Sequence, residues 1–102
     1  MDRTKRICNL LGMAQRAHCI ASGRTAVEQA ARNGTAKVLL VAGDAEEASR
    51  REYEELAKRC RIPCRIGLTR EQLGACLGKE YRASAAILDD GFRASLERIL
   101  DE

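Results

Sequence analysis

The sequence has no Trp, a single His and only 3% aromatic residues among its 102 residues. It also lacks an apolar run near the roughly 20 residues that a membrane-spanning helix needs. The first residues, MDRTKR, lack the apolar stretch of a secretion signal. We therefore expect a cytoplasmic protein with no membrane partner. With 45% hydrophobic and 32% charged residues, the chain has the composition of a folded domain rather than a disordered one.

The five Cys residues are not spaced like zinc ligands. Cys60 and Cys64 form the tightest pair, but a zinc site needs a second such pair or His partners, and His18 is the only His. Because cytoplasmic thiols are kept reduced and the count is odd, we expect five free thiols, no disulfide and no metal. Buried, reduced cysteines are the simpler interpretation.

Apolar residues alternate between helical spacing and short continuous runs along the whole chain. A first helix is predicted by the i, i+3, i+4, i+7 spacing of Ile7, Leu10, Leu11 and Ala14. The run from Val38 to Ala42 predicts a central strand that is covered on both faces. The alternation favours a three-layer α/β/α sandwich with a small mixed central sheet, as a single domain over residues 1–102.

Several helix starts are marked by residues that cap helices. Capping-box spacing is found at Thr25 and Glu28, at Ser49 and Glu52, and at Thr69 and Gln72. Either Asp89 or Asp90 is expected to cap the last helix.

No group of residues has the spacing of a catalytic centre. His18 has no marked carboxylate partner, and the Asp89–Asp90 pair is explained by helix capping and the helix dipole. Gly34 and Gly43 are isolated, unlike the glycines of phosphate loops or dinucleotide-binding motifs. We therefore expect no enzymatic activity and no cofactor.

The net charge of +3 is unevenly distributed, because residues 89–102 are acidic and the rest of the chain is basic. A basic body attracts phosphate backbones, although an ordinary solvated surface has the same composition. Gly23 and Arg24 open the second helix, which also carries Arg32. Free backbone N–H groups at such a start can bind phosphate, and a plain helix start is the alternative.

Four blocks of the sequence, covering nearly the whole chain in order, resemble one known family. They read LLGMAQRAHCIASGR, AKVLLVAGDAEE, RIPCRIGLTREQLGACLGK and AILDDGF. The chain resembles the ribosomal protein seven-Ae family and, within it, the short bacterial YlxQ-like branch. The resemblance implies the same α/β/α sandwich and the binding of structured RNA, above all kink-turns, through one edge of the sandwich.

In that family the second helix opens with Gly, any residue, Asn, Glu, any two residues and Lys. Gly23 matches this pattern, whereas Thr25, Ala26 and Gln29 replace the Asn, the Glu and the Lys. In kink-turn binders the Asn–Glu pair reads sheared G·A pairs and the Lys contacts phosphate. The resemblance therefore implies RNA binding with a changed preference.

Two further segments match family contacts by position. Glu46 lies where kink-turn binders place an acid near a flipped-out base, and residues 67–70 form the loop that packs against that base. An apolar loop beside basic residues suits the unstacked bases through which RNA is mainly read. We expect Arg24 and Lys37 to contact phosphate and Leu68 to contact a base. The predicted RNA-binding edge comprises Gly23, Arg24, Thr25, Ala26, Gln29, Arg32, Lys37, Glu46, Gly67, Leu68, Thr69 and Arg70.

The sequence thus predicts a monomeric, non-catalytic protein that binds structured RNA, ribosomal RNA among the candidates, in or around translation, and does not bind DNA. The alternative is a protein-interaction module on the same scaffold that has lost kink-turn binding, which Ala26 and Gln29 support. A basic patch of Arg24, Arg32, Lys37, Arg70 and Lys79 along one edge favours RNA, whereas scatter of those residues, with an exposed apolar patch elsewhere, favours the alternative.

Overall fold

The computed structural model describes residues 2–102, in which five helices alternate with four strands. The elements in chain order are α1 Arg3–Arg16, β1 Ile20–Ser22, α2 Arg24–Arg32, β2 Val38–Val41, α3 Glu47–Cys60, β3 Cys64–Ile66, α4 Arg70–Cys76, β4 Ser84–Ile87 and α5 Asp90–Leu100.

The strands form one mixed sheet in the order β1-β4-β2-β3. Strand β2 runs parallel to β3, with Leu39 opposite Cys64, and antiparallel to β4, with Leu39 opposite Ala86. Strand β1 is antiparallel to β4 on its other side. The predicted position of the Val38–Ala42 run is confirmed, because β2 lies between two other strands and is buried at every residue.

Helices cover both faces of the sheet, so the predicted α/β/α sandwich is confirmed. Successive side chains of a strand point to opposite faces. On one face Leu40 packs beneath α1, α4 and α5, and on the other Leu39 and Val41 pack beneath α2 and α3. Each helix buries one apolar stripe against this sheet, which explains the helical spacing of the apolar residues between the strands.

One of the three predicted capping boxes forms. The Gln72 N–H donates to Thr69 Oγ1 at 3.1 Å, and the Thr69 N–H donates to Gln72 Oε1 at 2.9 Å. The other two predicted boxes are wrong, because α2 starts after Gly23 and α3 starts after Glu46, neither with a side-chain cap. Both helices therefore begin earlier than the capping patterns indicate, α2 at Arg24 and α3 at Glu47. Asp89 caps α5, accepting from the Phe92 N–H at 3.0 Å.

The expectation of five free thiols is wrong, because Cys8 of α1 and Cys76 of α4 form a disulfide. Their Cα atoms are 5.0 Å apart, within the range of disulfides, although 68 positions separate them in sequence. The Gln15 amide also donates to the Leu77 carbonyl at 3.1 Å, which ties the same two helices together. The pair meets only when both helices pack on the sheet, so cysteine spacing does not reveal it.

Within residues 2–102, no cluster of three or more His, Cys, Asp or Glu side chains is placed to hold a metal ion. No helix in that range is long and apolar enough to cross a membrane. The expected absence of a cofactor stays a prediction.

Candidate nucleic-acid interface

Four segments of the chain meet at one end of the sheet. Strands β1, β2 and β3 end there, and the antiparallel β4 begins there. The adjoining segments are residues 23–26, 42–46, 67–70 and 79–83, and we call the surface that they form the loop edge. The first three contain residues that the sequence predicted to bind RNA, whereas the fourth does not.

Backbone hydrogen bonds join the segments of the loop edge to one another. The Gly43 N–H donates to the Leu68 carbonyl at 2.9 Å, and the Arg82 N–H donates to the Arg70 carbonyl at 3.1 Å. The loop edge is therefore one continuous surface built on the strand ends, and a partner that contacts one segment lies close to the next.

Gly23 opens α2 in a backbone conformation that favours glycine. Its φ is +88°, and as the residue before the helix it provides no side-chain cap. Its N–H donates to the Ser84 carbonyl at 3.3 Å, and Nε of Arg82 lies 4.0 Å from the position that a Cβ would occupy. The first turn of α2, whose N–H groups have no intrahelical acceptors, thus begins beside an arginine.

Asp44 links two segments of the loop edge. Its Oδ1 accepts from the Arg70 N–H at 2.7 Å and lies 3.6 Å from Arg70 Nε. The carboxylate partly neutralises the guanidinium, so Arg70 contributes less positive charge to the loop edge than its sequence position indicates.

Arg24 is held by acidic residues of the α2–α3 layer. Its Nη1 lies 2.5 Å from a carboxylate oxygen of Glu52 and 3.5 Å from one of Glu28, and its guanidinium carbon lies 5.5 Å from the Tyr53 ring centroid. The hydrogen bond to Glu52, above all, raises the pKa of Arg24 above its usual value. A phosphate at Arg24 must compete with two carboxylates.

Tyr81 and Arg82 lie at the loop edge and were missed by sequence reasoning. Tyr81 is 62% exposed, and its carbonyl accepts from Arg82 Nη1 at 2.8 Å. Arg82 Nε is buried without a hydrogen-bond partner among the described residues. The sequence did contain one signal that could have indicated them. Tyr81 is one of few aromatic residues in the chain, and it lies just before the predicted strand of small residues.

The segment 79–83 is fixed against α4 at Gly74. The Lys79 N–H donates to the Gly74 carbonyl at 2.8 Å. A Cβ on Gly74 would lie 2.6 Å from the carbonyl oxygen of Glu80 and 2.9 Å from Cα of Tyr81. Only glycine permits this approach, which therefore sets the position of Tyr81 at the loop edge.

The predicted residues that the structure brings to the loop edge, or within one helical turn of it, are Gly23, Arg24, Thr25, Ala26, Gln29, Glu46, Gly67, Leu68, Thr69 and Arg70. Thr25 and Gln29 line an open groove of about 580 Å³ along the outer face of α2. Glu46 is exposed and directly precedes α3.

Arg32 and Lys37 do not reach the loop edge, so their predicted convergence with the other residues is corrected. Arg32 ends α2, a full helix length from Gly23. Lys37 precedes β2, and its N–H donates to the carbonyl of Ile87, the last residue of β4, at 2.7 Å. The whole length of the sheet lies between these cations and the loop edge.

Leu68, which the sequence predicts as an apolar surface for a base, is only partly accessible. Leu68 has a φ of +63°, is half-buried and packs against the core beneath α1, α4 and α5. Its neighbour Gly67 lies against α5, where a Cβ would be 3.2 Å from Cδ2 of Leu100. Tyr81 is therefore the more accessible apolar surface at the loop edge.

Residues 5–97 match the model of the ribosomal protein L7Ae/L30e/S12e/Gadd45 family. The chain is 34% identical over 92 residues to the RNA-binding protein YlxQ of Bacillus subtilis (strain 168), covering 90% of this chain and 92% of the relative. It is 27% identical over 93 residues to the RNA-binding protein YlxQ of Enterococcus faecium, covering 91% of this chain and 89% of that protein.

Two solved structures are similar to this one. A protein of unknown function from Bacillus halodurans superposes with a TM-score of 0.89 at 28% identity, covering 95% of this chain and 98% of that one. A 15.5kD RNA binding protein from Giardia lamblia superposes with a TM-score of 0.79 at 15% identity, covering 99% of this chain and 87% of that one. The second likeness shows a shared fold.

Proposed function

Because the chain belongs to the ribosomal protein L7Ae/L30e/S12e/Gadd45 family, we propose that it is a non-catalytic RNA-binding protein of the cytoplasm. It recognises structured RNA of kink-turn-like shape through the loop edge, as a monomer acting in or around translation, with ribosomal RNA among its targets. The observation that carries the proposal is an exposed Tyr81 followed by Arg82, whose Nε lies beside the glycine that opens α2.

The loop edge offers the two kinds of contact that structured RNA needs. Proteins read RNA mainly at loops and bulges, where unstacked bases lie on aromatic rings or guanidinium planes. Tyr81 presents such a ring, and Arg82 is held next to it by its hydrogen bond to the Tyr81 carbonyl. The uncapped first turn of α2, beginning after Gly23, suits an adjacent phosphate.

Replacing Tyr81 with Ala is expected to weaken binding to a bulged RNA by roughly 5- to 150-fold, because loss of one base–aromatic contact costs about 1–3 kcal/mol. Tyr81→Phe keeps the ring and is expected to bind nearly as well as the unmodified protein. Met13→Ala is the matched surface control, since Met13 is 47% exposed on α1, outside the loop edge. Fluorescence anisotropy with a kink-turn stem and with an unbulged duplex measures both affinities.

Equal affinities of all three variants for every RNA would show that the loop edge is not the site. The protein-interaction alternative would then lead, and crosslinking in cells would recover proteins rather than RNA. Loss of binding in Tyr81→Ala and Tyr81→Phe alike would assign the role to the hydroxyl instead of to stacking.

Kink-turn affinity is expected to rise when the family's residues are restored at the start of α2. Thr25→Asn, Ala26→Glu and Gln29→Lys together should tighten binding to a standard kink-turn by at least about tenfold, since one hydrogen bond to a charged group contributes about 1.5–3 kcal/mol. Thr25 and Gln29 are exposed and Ala26 is half-buried, so the new side chains can reach a ligand.

The same triple variant combined with Tyr81→Ala is its control, measured by the same anisotropy titrations. If α2 and segment 79–83 contact one RNA, the added Tyr81→Ala change removes much of the gain. If the triple variant bound a kink-turn no more tightly than the unmodified protein, the prediction would be wrong. The residues at the start of α2 would then not set the affinity for kink-turns.

A further inference from the structure

A second group of cations lies at the end of the sheet opposite the loop edge. Arg32 ends α2, Lys58 and Arg59 lie in the last turn of α3, Arg61 follows α3, and Lys37 precedes β2. We call these five residues the basic end. All but the half-buried Lys37 are exposed.

The topology brings the basic end together from three separate parts of the chain. The Leu39 N–H donates to the Pro63 carbonyl at 2.9 Å, so the connections that carry Lys37 and Arg61 reach the sheet at the same end. Arg32 and Arg59 line one groove between α2 and α3. The five cations therefore gather at one end of the sheet from three separate parts of the chain.

The cations of the basic end make no ion pairs within residues 2–102, although Glu28, Glu52 and Glu55 line the same groove as Arg32 and Arg59. At the loop edge Arg24 and Arg70 are paired with carboxylates, and among the described residues only Lys79 and Arg82 of that edge are cations without an ion pair. Charge that is free to meet a phosphate is thus more abundant at the basic end.

Helix ends explain only part of this arrangement. Cations at a helix C-terminus complement the helix dipole, which accounts for Arg32, Lys58 and Arg59 individually. Lys37 and Arg61 lie outside helices, and Arg61 is in the left-handed conformation with a φ of +58°. Their gathering beside the helix ends produces a larger positive surface than capping requires.

We propose that the basic end is a second RNA contact, which binds the phosphate backbone of a single-stranded segment flanking the structured element held at the loop edge. One protein would then engage two parts of an RNA at opposite ends of its sheet. The inference rests on the proposed function for its ligand class and extends it to a surface that the loop edge does not include.

The chemistry of the basic end favours a nucleic-acid backbone over other anionic partners. Three of its five cations are arginines, whose planar forks bind phosphate oxygens in pairs. Binding to a lipid surface is strengthened by apolar side chains that insert beside the cations. The exposed large hydrophobic residues among those described lie elsewhere, with Ile66 and Tyr81 at or next to the loop edge and Met13 on α1.

A neutralising variant tests the proposal. Arg32→Gln, Arg59→Gln and Arg61→Gln together remove three charges from the basic end. The matched control, Arg6→Gln, Arg51→Gln and Arg93→Gln, removes three charges from arginines that are ion-paired to Glu102, Glu47 and Glu97. The probes are a kink-turn stem with and without a 12-nucleotide poly(U) extension, titrated at several salt concentrations.

For the extended RNA, the basic-end variant is expected to flatten the log–log salt slope by about 2, because each single-strand phosphate that the protein no longer neutralises changes the slope by roughly 0.7. The control should flatten it much less, and both should bind the unextended stem like the unmodified protein. Equal slopes for the two triple variants would overturn the proposal. So would a basic-end variant that loses binding to anionic vesicles or an acidic peptide but not to extended RNA.

Different results would overturn RNA binding at the loop edge and the second RNA contact at the basic end. If the unmodified protein prefers no structured stem, but the basic-end variant alone loses poly(U) binding, the loop-edge proposal fails and the second contact stands. If the stem binds at the loop edge and the extension adds no affinity, the second contact fails. Absence of binding to either RNA would overturn both.

Discussion

Removal of the Cys8–Cys76 disulfide is expected to lower the free energy of unfolding by about 2–4 kcal/mol. The bond closes a loop between positions 68 residues apart, and such a crosslink restricts the unfolded chain more as the loop lengthens. It also joins α1 to α4, which cover the same face of the sheet. Cys8 lines an open cleft of about 670 Å³ with Lys5 and Gln72, so a reductant can reach the bond.

Urea unfolding with and without reductant measures this effect, and the Cys8→Ser, Cys76→Ser double variant should match the reduced protein. Cys64→Ser is the control, because Cys64 is a free thiol whose pKa is raised by burial and then by nearby Glu54. Without reductant its midpoint should stay near that of the unmodified protein, and it should fall on reduction as that protein's does, because the Cys8–Cys76 bond is intact. Five reactive thiols in denatured, never-reduced protein, or identical midpoints with and without reductant, would contradict the bond.

The parts of the fold that depend on local spacing were predictable from the sequence. The helical spacing of Ile7, Leu10, Leu11 and Ala14 is matched by their burial on α1. The continuous Val38–Ala42 run is matched by the buried β2. Both patterns need only neighbouring residues, since periodicity records which face an element buries.

Features that depend on how distant segments pack could not be predicted in this way. The insertion of β4 between β1 and β2 is a property of the whole sheet, and no local pattern encodes it. The Cys8–Cys76 pair is of the same kind, because its partners meet only across two packed helices. The general rule that cytoplasmic cysteines are reduced therefore led to the wrong prediction of five free thiols.

At the candidate site, too, local patterns predicted the placement of some residues, and the packing of distant segments decided the placement of the others. Gly23, Glu46 and Gly67 each adjoin a predicted strand or helix end, and those ends do meet at the loop edge. Lys37 was placed with them although it lies at the opposite end of β2. Tyr81 and Arg82 lie in a connection without periodicity, and their place depends on β4 starting at the loop edge.

Replacing Gly74 with Ala is expected to destabilise the protein and, at the same time, to displace Tyr81 and Arg82 from the loop edge. In an open helix this change is favourable by about 1 kcal/mol, because Ala has the higher helix propensity. Here the added Cβ would lie 2.6 Å and 2.8 Å from the carbonyl oxygen and carbon of Glu80, which are backbone atoms that no side-chain rotation can move away. Relief requires segment 79–83 to shift, so we expect a net loss of about 1–3 kcal/mol, as for other overpacked cores, and a fall in RNA affinity comparable to that of Tyr81→Ala.

Gly12→Ala is the matched control for that prediction, because Gly12 lies within α1, where a Cβ would meet only Arg16 Nη1 at 3.6 Å. It should leave RNA binding unchanged and stabilise the protein by up to about 1 kcal/mol. Urea unfolding and anisotropy titrations compare the two variants, and amide hydrogen exchange reports whether segment 79–83 loosens selectively in Gly74→Ala. If Gly74→Ala equals Gly12→Ala in stability, exchange and affinity, the close packing of segment 79–83 on α4 does not set the loop edge, and Tyr81 must be positioned by the strand that follows it.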